Sequence, residues 1–235
     1  MSDSSLFHAP DESSDPGEQH IVDRIYAAVM EQRLAPRTKL SEAALCEAFG
    51  VGRMRVRRAL LLLGSQGIVD LQSNKGAFVA CPSPREALEV FEARLMLEPG
   101  IVRKLCAEIG TGAIAALRAH LGHEQDARDR GDRKAMIRLS GEFHVKLAEA
   151  HDNAVLVRML RELVTRSSLI VGLFGSTSIS ACPEDEHDQI VEALGAGDAD
   201  LAEARLRGHL HHIQQGLELD RPEARATDLA AILGG

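Results

Sequence analysis

Apolar residues recur at intervals of three and four along most of this chain, and the rhythm changes in only one place. Ile21, Ile25, Ala28 and Val29 form the first stripe and predict a helix opening at Gly17. Ala44, Leu45 and Ala48 mark a short helix over 41–49, with Ser41 as a candidate cap. Gly50-Val51-Gly52 breaks it, and Val56, Ala59, Leu60 and Leu63 define a second helix over 53–65. Two strand-like runs follow, 67–71 and 77–80, joined by Gln72-Ser73-Asn74-Lys75-Gly76 with Lys75 at the tip. Helix, three-residue turn, helix and hairpin is the order of a winged helix-turn-helix.

Past the stiff boundary Cys81-Pro82-Ser83-Pro84 the pattern is helical throughout. Helices are predicted over 84–109, with Pro99-Gly100 as the place for a bend, and over 112–130, 132–150, 153–173, 183–195 and 198–219. The stretch 175–181 holds most of the breakers and reads as a loop. Short connections between six helices predict an all-α bundle with room for an internal cavity. The expected fold is therefore mainly α, an N-terminal winged helix-turn-helix followed by a helical bundle. Residues 1–17 read as a disordered arm, 18–81 as the first domain, 82–220 as the second and 221–235 as a tail.

Charge divides the chain at the same boundary. Residues 18–81 carry a net charge of +3 and residues 82–235 a net charge of −7, with four further acidic residues in the first 17. A basic module on an acidic one points to local nucleic-acid binding. Arg53, Arg55, Arg57 and Arg58 crowd the start of the second helix, where self-repulsion is costly unless phosphates neutralise it. A bare cluster would fit a solvated basic face equally well; the turn before it and the hairpin after it favour duplex DNA. With one tyrosine and no tryptophan the chain lacks stacking platforms, which argues against RNA. Four scattered cysteines, no leader-like segment and no long apolar run fit a cytoplasmic protein away from the membrane.

Three histidines stand mid-helix among apolar neighbours: His144, His187 and His209. If they converge they suit zinc, nickel or another borderline divalent ion; singly, each is more often a hydrogen-bonded core residue. His211 and His212 lie off the His209 face and read as surface. Arg94 could face inward, either pairing with Glu98 one turn on or awaiting the carboxylate of a small ligand. A metal-dependent hydrolase-like enzyme is conceivable from the histidines with Glu142 or Glu186 nearby, though neither glutamate has an evident partner. A metal-independent regulator with a structural histidine cluster is the other alternative.

Leu40-Ser41-Glu42, the run from Phe49 to Leu60, and Asn74-Lys75-Gly76-Ala77-Phe78-Val79 resemble the DNA-binding domain of GntR-family transcriptional regulators. The helical remainder is similar to the FCD ligand domain of that family's largest subfamily. The resemblance implies a homodimer that binds a short palindrome and responds to a small organic acid. It implies DNA contacts for Arg53 and Arg57 and, more loosely, for Lys75 and Gly76 at the wing; Ser41, Arg55 and Arg58 complete the expected DNA-facing set. Gly52 stands where the family usually has serine or threonine, and Arg58 where it usually has glutamate. The implied metal site is one Asp or Asn with three histidines, which match His144, His187 and His209. The carboxylate position, four residues before His144, is Ser140. Arg94 matches the arginine that meets the effector's carboxylate, so Arg94 and Ser140 are the expected effector-binding residues.

Overall fold

The computed structural model describes residues 16–30, 33–175, 185–219 and 229–233, which form two units, 1–82 with 220–235 and 83–219. The expected disordered arm, apart from its last two residues, and most of the 175–181 loop lie outside the described residues, as does Cys182.

In the first unit, helix α1 (Pro16–Met30) buries Ile21, Ile25, Ala28 and Val29, the stripe that predicted it. Helix α2 (Glu42–Phe49) ends at Gly50, whose φ of 62° and bonds to the Cys46 and Glu47 carbonyls make it a left-handed cap. Helix α3 (Arg53–Ser65) sinks Val56, Ala59, Leu60 and Leu63 against α1 and α2. Strands β2 (Val69–Gln72) and β3 (Gly76–Val79) form the wing, with Val69 opposite Val79 and Gln72 opposite Gly76. Asn74 (φ 60°) and Gly76 (φ 105°) supply the positive φ that reverses the chain. A strand absent from the sequence reading, β1 (Lys39–Leu40), completes a β1-β3-β2 antiparallel sheet. Two residues carry too little alternation to be read as a strand; the free edge of β3 recruits them.

The second unit contains six helices among the described residues: α4 (Pro84–Glu108), α5 (Thr111–Asp129), α6 (Arg133–Ala150), α7 (Ala154–Phe174), α8 (Glu186–Ala196) and α9 (Ala199–Gln215). Their starts follow sequence chemistry. Ser83, Asp132, Asn153 and Asp198 cap α4, α6, α7 and α9 by accepting backbone N–H bonds. Val102, Leu105, Leu117, Phe143, Leu147, Ile190, Leu206 and Leu210 belong to one core cluster. Within this unit α4 packs on α6, α7 and α9, α5 on α6 and α8, and α8 on α9.

Pro99 lies buried inside α4, which runs through it unbroken. Proline has no N–H for the carbonyl four residues back. That carbonyl, Leu95 O, accepts instead from Arg207 Nη1 of α9 at 3.2 Å. No described helix is long and apolar enough to cross a membrane. Cys46, Cys81 and Cys106 are free and half-buried.

Candidate nucleic-acid face and metal centre

The first unit presents its cations where the sequence places them. Arg53, Arg55, Arg57 and Arg58 are exposed on the first two turns of α3, and Lys75 and Gly76 are exposed at the wing turn. Arg57 Nε donates to Glu42 Oε1 at 2.8 Å, which ties α3 to the first turn of α2. Arg58 Nη1 lies 3.8 Å from Glu18 Oε2 on α1. Ser41 occupies the α2 N-cap position with extended backbone, but its hydroxyl makes no capping bond. Gly52 holds the α3 N-cap position without a side chain to cap it.

In the second unit α6, α8 and α9 bring His144, His187 and His209 to one point. All three are nearly inaccessible, at 1%, 2% and 1% exposure. Their ligating nitrogens lie within 4.8 Å of one another. His209 Nε2 is 3.1 Å from His144 Nε2 and 3.1 Å from His187 Nε2.

The opposite nitrogen of each ring meets a carboxylate. His144 Nδ1 lies 2.6 Å from Glu98 Oε2, His187 Nδ1 2.8 Å from Glu124 Oε2, and His209 Nδ1 2.8 Å from Glu186 Oε2. Burial alone would push Glu98 up, but Arg94 and His144 outweigh it and hold the carboxyl at about 2. Glu124 follows the same balance, with His187 and His120 holding it at about 2. Burial lowers His144 to about 4 against the pull of Glu98. Burial, then His187 and His144, drive His209 well below its ordinary value. At neutral pH the ionised Glu98 faces a neutral His144 and holds its proton on Nδ1, and the same geometry sets Nδ1 of His209 against Glu186 and of His187 against Glu124. Each Nε2 then offers a lone pair to its neighbours. Three mutually facing lone pairs repel unless a cation lies among them, and carboxylate-backed histidine is the usual support of a metal ligand. With metal–nitrogen bonds of about 2.1 Å, neighbouring ligands sit roughly 3.0–3.4 Å apart, which the two 3.1 Å separations match. This buried cluster could coordinate a metal ion.

Arg94 is 3% exposed and adopts the paired arrangement: Nε donates to Glu98 Oε1 at 2.5 Å and Nη1 to Ser167 Oγ at 2.9 Å. Its Nη2 is buried with no acceptor. Ser140 is buried on α6, one turn before His144. The three supporting glutamates are not legible in the sequence as a set. Glu124 had a signal, because α5 buries Leu117, His120, Leu121, Glu124 and Ala127, a helical stripe in which two polar residues take inward places. Glu186, read as lacking a partner, meets both His209 and the half-exposed His212, whose Nδ1 is 2.9 Å away.

Comparison with known proteins agrees with both units. The bacterial regulatory protein gntR family matches residues 18–79, and the FCD domain matches residues 89–212. An HTH-type transcriptional regulator in an unstable DNA locus of Streptomyces ambofaciens is 30% identical over 216 residues, covering 87% of each chain. The HTH-type transcriptional regulator LutR of Bacillus subtilis is 28% identical, covering 78% of this chain and 93% of its own. A GntR transcriptional regulator structure from Rhodococcus shares the fold with a TM-score of 0.70 at 20% identity, covering 84% of this chain and 95% of its own. Both of these curated relatives are named as transcriptional regulators. This chain belongs to the GntR family of DNA-binding, ligand-responsive transcriptional regulators, with an FCD domain as its second unit.

Proposed function

We propose that this regulator binds a palindromic duplex as a homodimer in the cytoplasm, and that a small carboxylate acid bound beside a divalent ion alters that binding. The observation that carries the sensor half is the convergence of three Nε2 atoms whose rings are each backed by a carboxylate. His144, His187 and His209 would hold the ion, with zinc or nickel best suited to an all-imidazole set. Ser140 brings no charge at the position where the family resemblance implies an Asp or Asn ligand, so protein ligands leave positions that an acid can take. A bound ion would supply a Lewis-acidic attachment point for an oxyanion. Arg94 Nη2, buried without an acceptor, is the natural partner for the same acid's second oxygen.

On the DNA side, Arg53 and Arg57 read base edges or adjacent phosphates, Arg55 and Arg58 add backbone contacts, Lys75 and Gly76 reach the minor groove, and Ser41 lies at the flank. Glu42 steers Arg57 in this reading, and the exposure of the four arginines, Lys75 and Gly76 supports it.

Metal analysis and titration calorimetry test the sensor half. His187→Ala should weaken metal and acid together and leave acid-free DNA binding unchanged. Ser140→Asp should tighten the metal and weaken the acid by adding a like charge. Equal acid affinity in His187→Ala and wild type, or no stoichiometric ion after supplementation with zinc or nickel, would overturn the shared site.

A further inference from the structure

The family matches end at residue 212, yet the chain returns to the DNA-binding unit beyond them. Helix α10 (Leu229–Leu233) packs on α1 and α2. Leu229 and Leu233, one turn apart on the same face, are 8% and 2% exposed. The end of the helix is held as well. Arg24 Nη2 of α1 donates to Leu233 O at 3.1 Å, and Arg33 Nη1 donates to Ile232 O at 2.9 Å. Two guanidiniums at a helix C-terminus satisfy carbonyls that have no intrahelical partner and oppose the negative end of the helix dipole. A helix of five residues has no stability of its own in water, so its helical form is a consequence of docking.

The surface it occupies belongs to the helix-turn-helix unit. Helix α2 is the first helix of the helix-turn-helix, and α3 rests on both α1 and α2. Arg53, Arg55 and Arg57 remain exposed with α10 in place, so α10 supports the motif without covering its reading side. Residues 220–228 join α10 to the end of the bundle, whose last helix, α9, carries His209.

We propose that α10 is a brace of the helix-turn-helix: docked on α1 and α2, it holds them in the arrangement that presents α3, and the DNA affinity of the whole protein depends on it. The proposal rests on the DNA-binding reading but not on the metal. Four full-length or shortened proteins test it: wild type, Leu233→Asp, Leu233→Met and a chain ending at Leu219. The probe is the duplex that wild type selects from a randomised pool. The readouts are duplex affinity and amide hydrogen exchange. Leu233→Asp and the shortened chain should exchange about tenfold faster or more in α1 and α2, with α5 to α8 unchanged. Both should bind the duplex about fivefold more weakly or worse, while Leu233→Met keeps both properties. Wild-type affinity in the shortened chain overturns the brace, whether or not exchange rises. A wild type that selects no duplex overturns the DNA-binding reading itself, and the brace with it.

Discussion

Glu98 and His144 lie one bond apart in function: Oε2 sits 2.6 Å from the histidine Nδ1 while Oε1 accepts from Arg94 at 2.5 Å. One buried carboxylate therefore orients a ring of the histidine cluster and neutralises the guanidinium beside it. Arg94 and the cluster are consequently coupled. Removing Arg94 should weaken the acid most, and should also loosen His144 by leaving Glu98 with a single partner.

Glu98→Gln separates these roles. An amide keeps the shape but cannot neutralise Arg94, and a buried guanidinium without its anion costs about 3–5 kcal/mol. Loss of the carboxylate behind His144 should weaken metal binding about 10–100-fold. Urea unfolding of the second unit and calorimetric metal titration would measure the two effects. Unchanged metal affinity would count against the supporting role.

Acidification should destabilise the metal-free second unit early. His144 is lowered from 6.5 to about 4, so between those values the unfolded chain takes up a proton that the folded chain does not. Stability from this group is present above about 6.5 and is lost as pH falls toward 4. Glu98, lowered from 4.5 to about 2, adds loss of the same sign as pH falls through that lower window. The urea midpoint should therefore drop between pH 7 and pH 4.5, and His144→Asn should flatten that drop. A midpoint independent of pH over this range would contradict the buried neutral imidazole.

Arg207 takes the carbonyl that Pro99 strands, so the two residues should be coupled in stability. Arg207→Ala should cost about 0.5–1.5 kcal/mol in wild type. In a Pro99→Ala background the new N–H satisfies Leu95 O, and the same change should cost less. A double-mutant cycle in urea gives the difference directly; a coupling of zero would show that Arg207 contributes nothing to the stranded carbonyl.

On DNA, Arg53→Ala should cost roughly 1–3 kcal/mol against the preferred duplex and leave the fold intact. Lys75→Ala should cost less and reduce the salt slope by about one. Glu42→Ala releases Arg57 from its 2.8 Å bond and should relax base preference more than it changes total affinity. Competition binding across duplex variants at several salt concentrations separates these outcomes.

The sequence by itself determined helices α1 to α9, the wing and the class. Apolar stripes at three-and-four spacing placed α1 to α9, Gly50 marked the turn because a left-handed cap needs no Cβ, and the arginines of α3 with the wing pointed to duplex DNA. These are local properties, set within a few residues of chain. Convergence is not local. His144, His187 and His209 come from three helices, and their supporting glutamates are separated from them by 46, 63 and 23 residues, so no spacing rule links the partners. Tertiary packing alone decided that Arg94 pairs with Glu98 and still leaves one nitrogen without an acceptor, and that Arg207 answers Pro99. It also decided that Leu229 and Leu233 return to α1 and α2. A five-residue apolar run is too short to declare its destination; only the surface that receives it does.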